Sequence, residues 1–184
     1  MEKWKVYPNN KNEELILILK ELKRLFESIA EITIWKEDLW ELLCGICSEE
    51  ARWISESPGS HLEMISEWEK LLEVAELLQV QTYVGIQHSS CEFNIIKGST
   101  YFDRISQLPK WLSQDEFKYP VMVLHEFFQI QNLQLWKTLI VDWGKLCLSN
   151  CSIDTFRSID EVLNDYRNLI KLLEACHLIY LREG

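Results

Sequence analysis

His61, His125 and His177 are the side chains in this sequence best placed to do chemistry. Imidazole is the commonest metal ligand and the side chain that titrates near neutral pH. The three lie on three different predicted helices. Inward-facing histidines from separate helices of a bundle can hold a metal ion with one position open for water, with Glu126 or Glu174 assisting. Glu174 stands three residues before His177 and makes a Glu-x-x-His pair on one helical face. Di-iron carboxylate bundles use two such motifs plus further glutamates, and this chain offers one. His125 and Glu126 are adjacent, so on a helix their side chains diverge by about 100° and do not meet one substrate atom. An acid–base pair would combine one of them with Asp142 or Asp103. The simpler reading ranks first: an exposed His61 near a helix cap, a boundary His125, a solvated Glu126, and His177 on the surface or satisfied in the core.

Thiols offer a second chemistry. Cys44-Gly45-Ile46-Cys47 has C-x-x-C spacing, Cys147 and Cys151 are four apart, and Cys91 and Cys176 stand alone. Structural zinc needs four thiolate or imidazole ligands, usually as two close pairs on turns. A redox pair needs a helix N-terminus to lower its pKa. Cys44 and Cys47 fall in mid-helix beside Leu42, Leu43 and Ile46, where cysteines act as small hydrophobes. No metal or other cofactor is therefore expected. The glycine-rich phosphate loops, G-x-S-x-G and H-E-x-x-H are absent, as is the second half of a zinc deaminase signature after His61-Leu62-Glu63. No catalytic residue is assigned.

The elements that would position these groups are helices. Leu15, Leu19, Leu22, Phe26 and Ile29 step by four and three, predicting a first helix from about 12 to 32 capped by Asn10 or Asn12. A second is expected from Lys36 to Ser55 with Leu39, Leu43, Ile46 and Trp53 inward. Ser57-Pro58-Gly59-Ser60 breaks the chain. Ser60 with Glu63 has capping-box spacing for a third helix, to about Val80, with Leu62, Ile65, Leu72 and Ala75 inward. Residues 81–111 read as irregular, or as a small hairpin around Gly98, with a short helix at 102–107 before Pro109. Pro120 suits the first turn of a short helix through Phe128. Asn132 caps another to Leu148, where Leu133, Trp136, Leu139 or Ile140, Trp143 and Leu146 recur. Ser158 and Glu161 form a capping box for the last helix, with Ile159, Val162, Tyr166, Leu169, Leu173, Cys176 and Tyr180 along its seam. The fold class expected is all-α: one antiparallel up-and-down bundle of five to six helices over residues 1–184. It can be subdivided into 1–80, a connection at 81–119, and 120–184.

The 184 residues are 47% hydrophobic and 26% charged, with a formal net charge of −10. That size buries a sizeable core without staples. The charge disfavours nucleic acid and an acidic membrane surface. No signal sequence or 18-residue apolar run is present, so a cytoplasmic location is expected. Eight tryptophans are many for this length. Trp4, Tyr7, Trp35, Tyr101, Trp111, Phe117 and Tyr119 fall outside the predicted helices or at their ends, and displaced aromatics suit binding surfaces. The sequence therefore points to a non-enzymatic protein that binds another protein or itself, an adaptor, an inhibitor or immunity-type protein, or a subunit of a larger assembly, through Trp35, Tyr101, Trp111, Phe117 and Tyr119. The rivals are a metal-dependent enzyme on His61, His125 and His177, and a small-molecule sensor with an aromatic pocket.

Overall fold

A computed structural model describes residues 10–28, 32–50, 57–83, 109–149, 151–153 and 157–183. Among these residues there are seven helices and no strand: α1 (Asn10–Ser28), α2 (Ile32–Ile46), α3 (Pro58–Tyr83), α4 (Gln114–Lys118), α5 (Pro120–Ile130), α6 (Leu133–Cys147) and α7 (Ile159–Glu183). The expected all-α bundle is thus the observed class. The expected hairpin around Gly98, the 102–107 helix and Trp53 lie outside the described residues.

Helix order in space departs from the expected up-and-down meander. The principal partners of α1 are α3 and α7, while α2 packs on α6 and α7. The packed pairs α1–α3, α3–α6, α6–α2, α2–α7 and α7–α1 close a ring, and α5 bridges α3 and α7. Local pairs give the directions. Gln81 donates to Glu14 between α3 and α1, and Lys137 bonds Glu73 while His61 reaches Gly144 between α6 and α3. Lys36–Glu174 and Trp40–Tyr166 run in opposite senses on α2 and α7. In α7 every residue from Leu172 to Ile179 is buried. An isolated helix buries one stripe; α7 is walled in by α1, α2 and α5.

Local chemistry accounts for several boundaries. Asn132 accepts Leu135 N–H at 3.0 Å, as expected of an N-cap. Ser158 and Glu161 complete their capping box at 3.3 and 3.1 Å. Ser113 and Glu116 form another, unanticipated, that opens α4.

Elsewhere packing overrode the local signals. Helix α3 starts at Pro58, and Ser57, not Ser60, supplies the capping oxygen, accepting Ser60 N–H at 3.2 Å. Its inward stripe is His61, Ile65, Trp68, Leu72 and Ala75, so Leu62 is turned to solvent, contrary to expectation. Helix α2 begins at Ile32 instead of Lys36, because burial of Ile32 and Trp35 outweighs the weak helix propensity of Ile-Thr-Ile-Trp. It ends at Ile46 instead of running to Ser55, and Ser48 Oγ takes up Glu50 N–H in a local turn. Ile159, expected in the α7 seam, is exposed in the first turn.

The core runs continuously through α1, α2, α3, α5, α6 and α7. Trp136 stacks on Phe127 with centroids 4.1 Å apart and donates its indole N–H to the Phe127 carbonyl at 3.2 Å. The pair locks α5 to α6 across their two-residue connection. Gly144 lets α6 approach α3. A Cβ there would sit 2.9 Å from Ile65 Cδ1 and Cγ1, inside the closest carbon–carbon contact.

Candidate functional site

The seam between α2 and α7 combines a buried charge with displayed aromatic rings. Glu174 is fully buried on α7. A carboxylate in that position must be paired and hydrogen-bonded. Lys36 Nζ from α2 lies 2.5 Å from Oε1. The backbone N–H of Lys110 donates to both oxygens, at 2.9 and 3.0 Å, and that of Trp111 to Oε2 at 2.7 Å. Glu174 therefore acts as an internal cap that fastens the 109–111 turn to α7 and α2. The turn continues into α4, which α7 also holds. Lys171 binds Glu116 at 2.5 Å, and Arg182 donates to the carbonyls of Phe117 and Lys118 at 2.6 and 3.2 Å. Burial alone would raise the Glu116 carboxyl; the bonds from Lys171 and Ser113 outweigh it and hold the group below the usual carboxylate range.

Anchored this way, Trp111 sets its ring edge-on to Tyr166, centroids 6.1 Å apart at 84°. Trp40 approaches the same tyrosine from α2, at 6.1 Å and 70°. Edge-to-face packing is a favoured aromatic geometry. Tyr166 is buried between two tryptophans that stay open to solvent, Trp40 at 53% and Trp111 at 41%. Burial, with Cys44 nearby, pushes the Tyr166 hydroxyl above its ordinary pKa and keeps it neutral. Leu163 and Ile159, three and seven residues before Tyr166, share its side of α7. Both are exposed and continue that stripe toward the start of α7.

Of the five aromatics expected to bind a partner, Trp111 belongs to this aromatic cluster. Trp35 does not: it is 2% exposed, wedged between Phe26 at 6.1 Å and Trp68 at 5.3 Å, because it falls on the inward stripe of α2 with Leu39 and Ile46. Tyr101 lies outside the described residues. Phe117 is half-buried under the Arg182 guanidinium, 5.7 Å from its ring centroid. Tyr119 is exposed at the α4–α5 junction with Lys118 5.1 Å from its ring. Sequence reasoning missed Trp40. The signal was there: Trp40 follows the inward Leu39, and one residue along a helix turns a side chain about 100° off the seam.

The three histidines are kept apart. His61 is fully buried, not exposed near a cap, with Nε2 3.0 Å from the Gly144 carbonyl oxygen and Nδ1 unpartnered among the described residues. His125 is half-buried between the amides of Gln79 at 3.1 Å and Gln129 at 2.8 Å. Gln79 is eighteen residues after His61 on α3, so His61 and His125 mark sites about 27 Å apart along that helix. His177 is buried against Phe26, edge-on at 5.1 Å, and Tyr180 at 5.8 Å. Burial first, and the Lys36 charge second, push its pKa down to about 4. Glu174, its Glu-x-x-His companion, is committed to Lys36 and the 109–111 turn. Among the described residues no group of three or more His, Cys, Asp or Glu is disposed to hold a metal ion.

Two thiols, Cys147 and Cys176, are buried as small hydrophobes, but Cys47, expected in mid-helix, lies just past the end of α2 and is exposed. Cys147 is buried and donates to the Leu42 carbonyl at 3.3 Å. Burial, with Cys47 and Cys44 nearby, pushes it up to about 12, and burial does the same for Cys176. A thiol so raised is not a thiolate at neutral pH and is a poor nucleophile. Cys44 is half-buried, and Cys151 is exposed. Cys91 lies outside the described residues.

No family model matches the chain, and neither a curated protein nor a solved structure matches it. Among the described residues no helix is long and apolar enough to cross a membrane.

Proposed function

We propose that this protein works by docking another protein chain on the Trp40–Tyr166–Trp111 ledge. The observation that carries the reading is that two tryptophans stand about half open to solvent on a backing fixed by a fully buried carboxylate. Half-exposed indoles leave apolar area that folding does not bury. Tryptophan and tyrosine in rigid positions are the side chains that most often dominate protein–protein interfaces, since little conformational freedom is lost when they are covered. The net charge of −10 keeps the rest of the surface solvated. No described cluster favours the metal-enzyme alternative.

The test is a photo-reactive residue placed at Leu163, three residues before Tyr166, and activated in the native host. A discrete cross-linked protein is expected, and Trp40→Ala or Trp111→Ala should abolish it while leaving the fold intact. Absence of any such product, or capture indifferent to both substitutions, refutes the reading.

A further inference from the structure

The rims of the ledge carry opposite charges. On the α2 side, Glu37 and Glu41 stand three residues before and one after Trp40, both exposed. On the other side stand Lys110, next to Trp111, and Arg167, next to Tyr166, also exposed. Arg167, Lys171 and Glu174 fall at i, i+4 and i+7, one stripe of α7. Lys171 of that stripe binds Glu116, so Arg167, one turn before it, continues the flank on the 110–116 side. The ion pairs around the seam are Lys36–Glu174, Lys171–Glu116 and Arg157–Asp165. Glu37, Glu41, Lys110 and Arg167 enter no ion pair among the described residues.

From this arrangement we infer that the occupant of the ledge is a second copy of this chain, related by a two-fold axis through the Trp40–Tyr166–Trp111 cluster. The inference rests on the docking reading above and names its partner. A purely acidic rim would fit a basic partner. A rim acidic on one side and basic on the other fits a surface with the same order reversed, and a two-fold rotation of this face supplies it. Glu37 and Glu41 of each copy then meet Arg167 and Lys110 of the other, once on each side of the axis. The tryptophans, with Leu163, pack at the centre, where desolvated anchors contribute most. The interaction is isologous, so it closes at two copies and leaves no ledge open for growth into fibres.

The experiment is sedimentation equilibrium of the full chain across a concentration series. The wild type is expected to approach twice the 21.9 kDa chain mass. Glu41→Lys and Arg167→Glu each place like charges opposite one another at both symmetric contacts, and each should weaken the dimer roughly tenfold or more. An equimolar mixture of the two variants should recover it. In the mixed pair one contact is native and the other is a lysine facing a glutamate. Carrying both substitutions in one chain should recover it as well. Recovery also shows that the single variants are folded.

A wild type that stays monomeric up to about 1 mM, the weak limit of specific association, overturns the inference. So does a dimer insensitive to both substitutions, or one weakened by each but not restored in the mixture. Failure here is separable from failure of the docking reading. A monomer that still yields a Trp40-dependent cross-link to a different protein ends the two-fold dimer and keeps the ledge. A monomer with no cross-link ends both.

Discussion

Two aromatic clusters sit on the two sides of α2, because the five-residue step from Trp35 to Trp40 turns about 140° around the helix. Trp35 points inward and meets Phe26 and Trp68; Trp40 points outward and meets Tyr166, which also holds Trp111. The inner cluster is sealed, with the indole nitrogens of Trp35 and Trp68 unpartnered among the described residues. A buried donor left that way costs free energy, which the large apolar contact area of each ring offsets. The outer cluster leaves two rings half open and invests its polar bonding behind them, in Glu174. The comparison teaches that aromatic abundance here serves two ends, and that register on the helix separates them. Inner rings hold the bundle together, and outer rings stay half open to solvent.

The sharpest test of that division is truncation. Trp68→Ala should destabilise the protein by about 3–5 kcal/mol, the range for emptying a buried aromatic site, in urea unfolding. If it costs no more than Trp40→Ala, the inner and outer clusters are not different in kind.

Glu174 backs the outer cluster through the Trp111 N–H. Glu174→Ala leaves the partly buried Lys36 ammonium and two backbone N–H groups without their acceptor. A loss of about 3 kcal/mol is expected, at the low end for breaking a buried pair because Lys36 retains some solvent access. Hydrogen exchange at the amides of Lys110 and Trp111 should accelerate by a larger factor than at the core of α7. Equal acceleration in both places would show that Glu174 supports the fold without specially holding the ledge.

His177 gives the inner side a signature in pH. The folded imidazole stays neutral down to about pH 4, while the unfolded one takes up a proton near 6.5. Above 6.5 both states are neutral and nothing changes. Below it the unfolded chain binds a proton that the fold refuses, so stability falls between pH 6.5 and 4, by about 3 kcal/mol from this group. His177→Leu should remove that part of the slope. An unchanged profile in the variant would mean that carboxylates alone set the acid response.

Smaller effects complete the contrast. Gly144→Ala forces Ile65 aside where α3 and α6 cross, with an expected cost of about 1–3 kcal/mol. Trp40→Ala should cost less than about 1 kcal/mol in folding, as for exposed positions, while abolishing association. A large stability loss at Trp40 would place it with the inner cluster.

Much of the helical framework could be read from residue order because its causes are local. The three-and-four stepping of Leu22 and Phe26, the Ser158–Glu161 box, the Asn132 cap and Pro120 in a first turn are short-range effects that act within a few residues of chain. Where a helix start depended on distant burial, as at Ile32, or on which of two serines caps it, as at Ser57 and Ser60, local reasoning misplaced it. The candidate site was legible only in part. Trp111 stood out because it lies beyond a helix. Trp40 is hidden inside one, and Trp35 is an inner ring because α2 starts four residues before Lys36 and carries it on the buried stripe.

The sequence by itself determined an acidic all-α protein, rich in tryptophan, with helices at or near their observed positions, since periodicity, capping and composition are properties of the chain alone. It could not determine which helices touch. Tertiary structure decided that α2 lies against α7 instead of α1, and that one fact brings Lys36 to Glu174 and Trp40 to Tyr166 across 138 and 126 positions of sequence. It also set the three histidines apart. Pairing over such separations depends on how whole helical faces fit and exclude water, and no spacing along the chain records that fit.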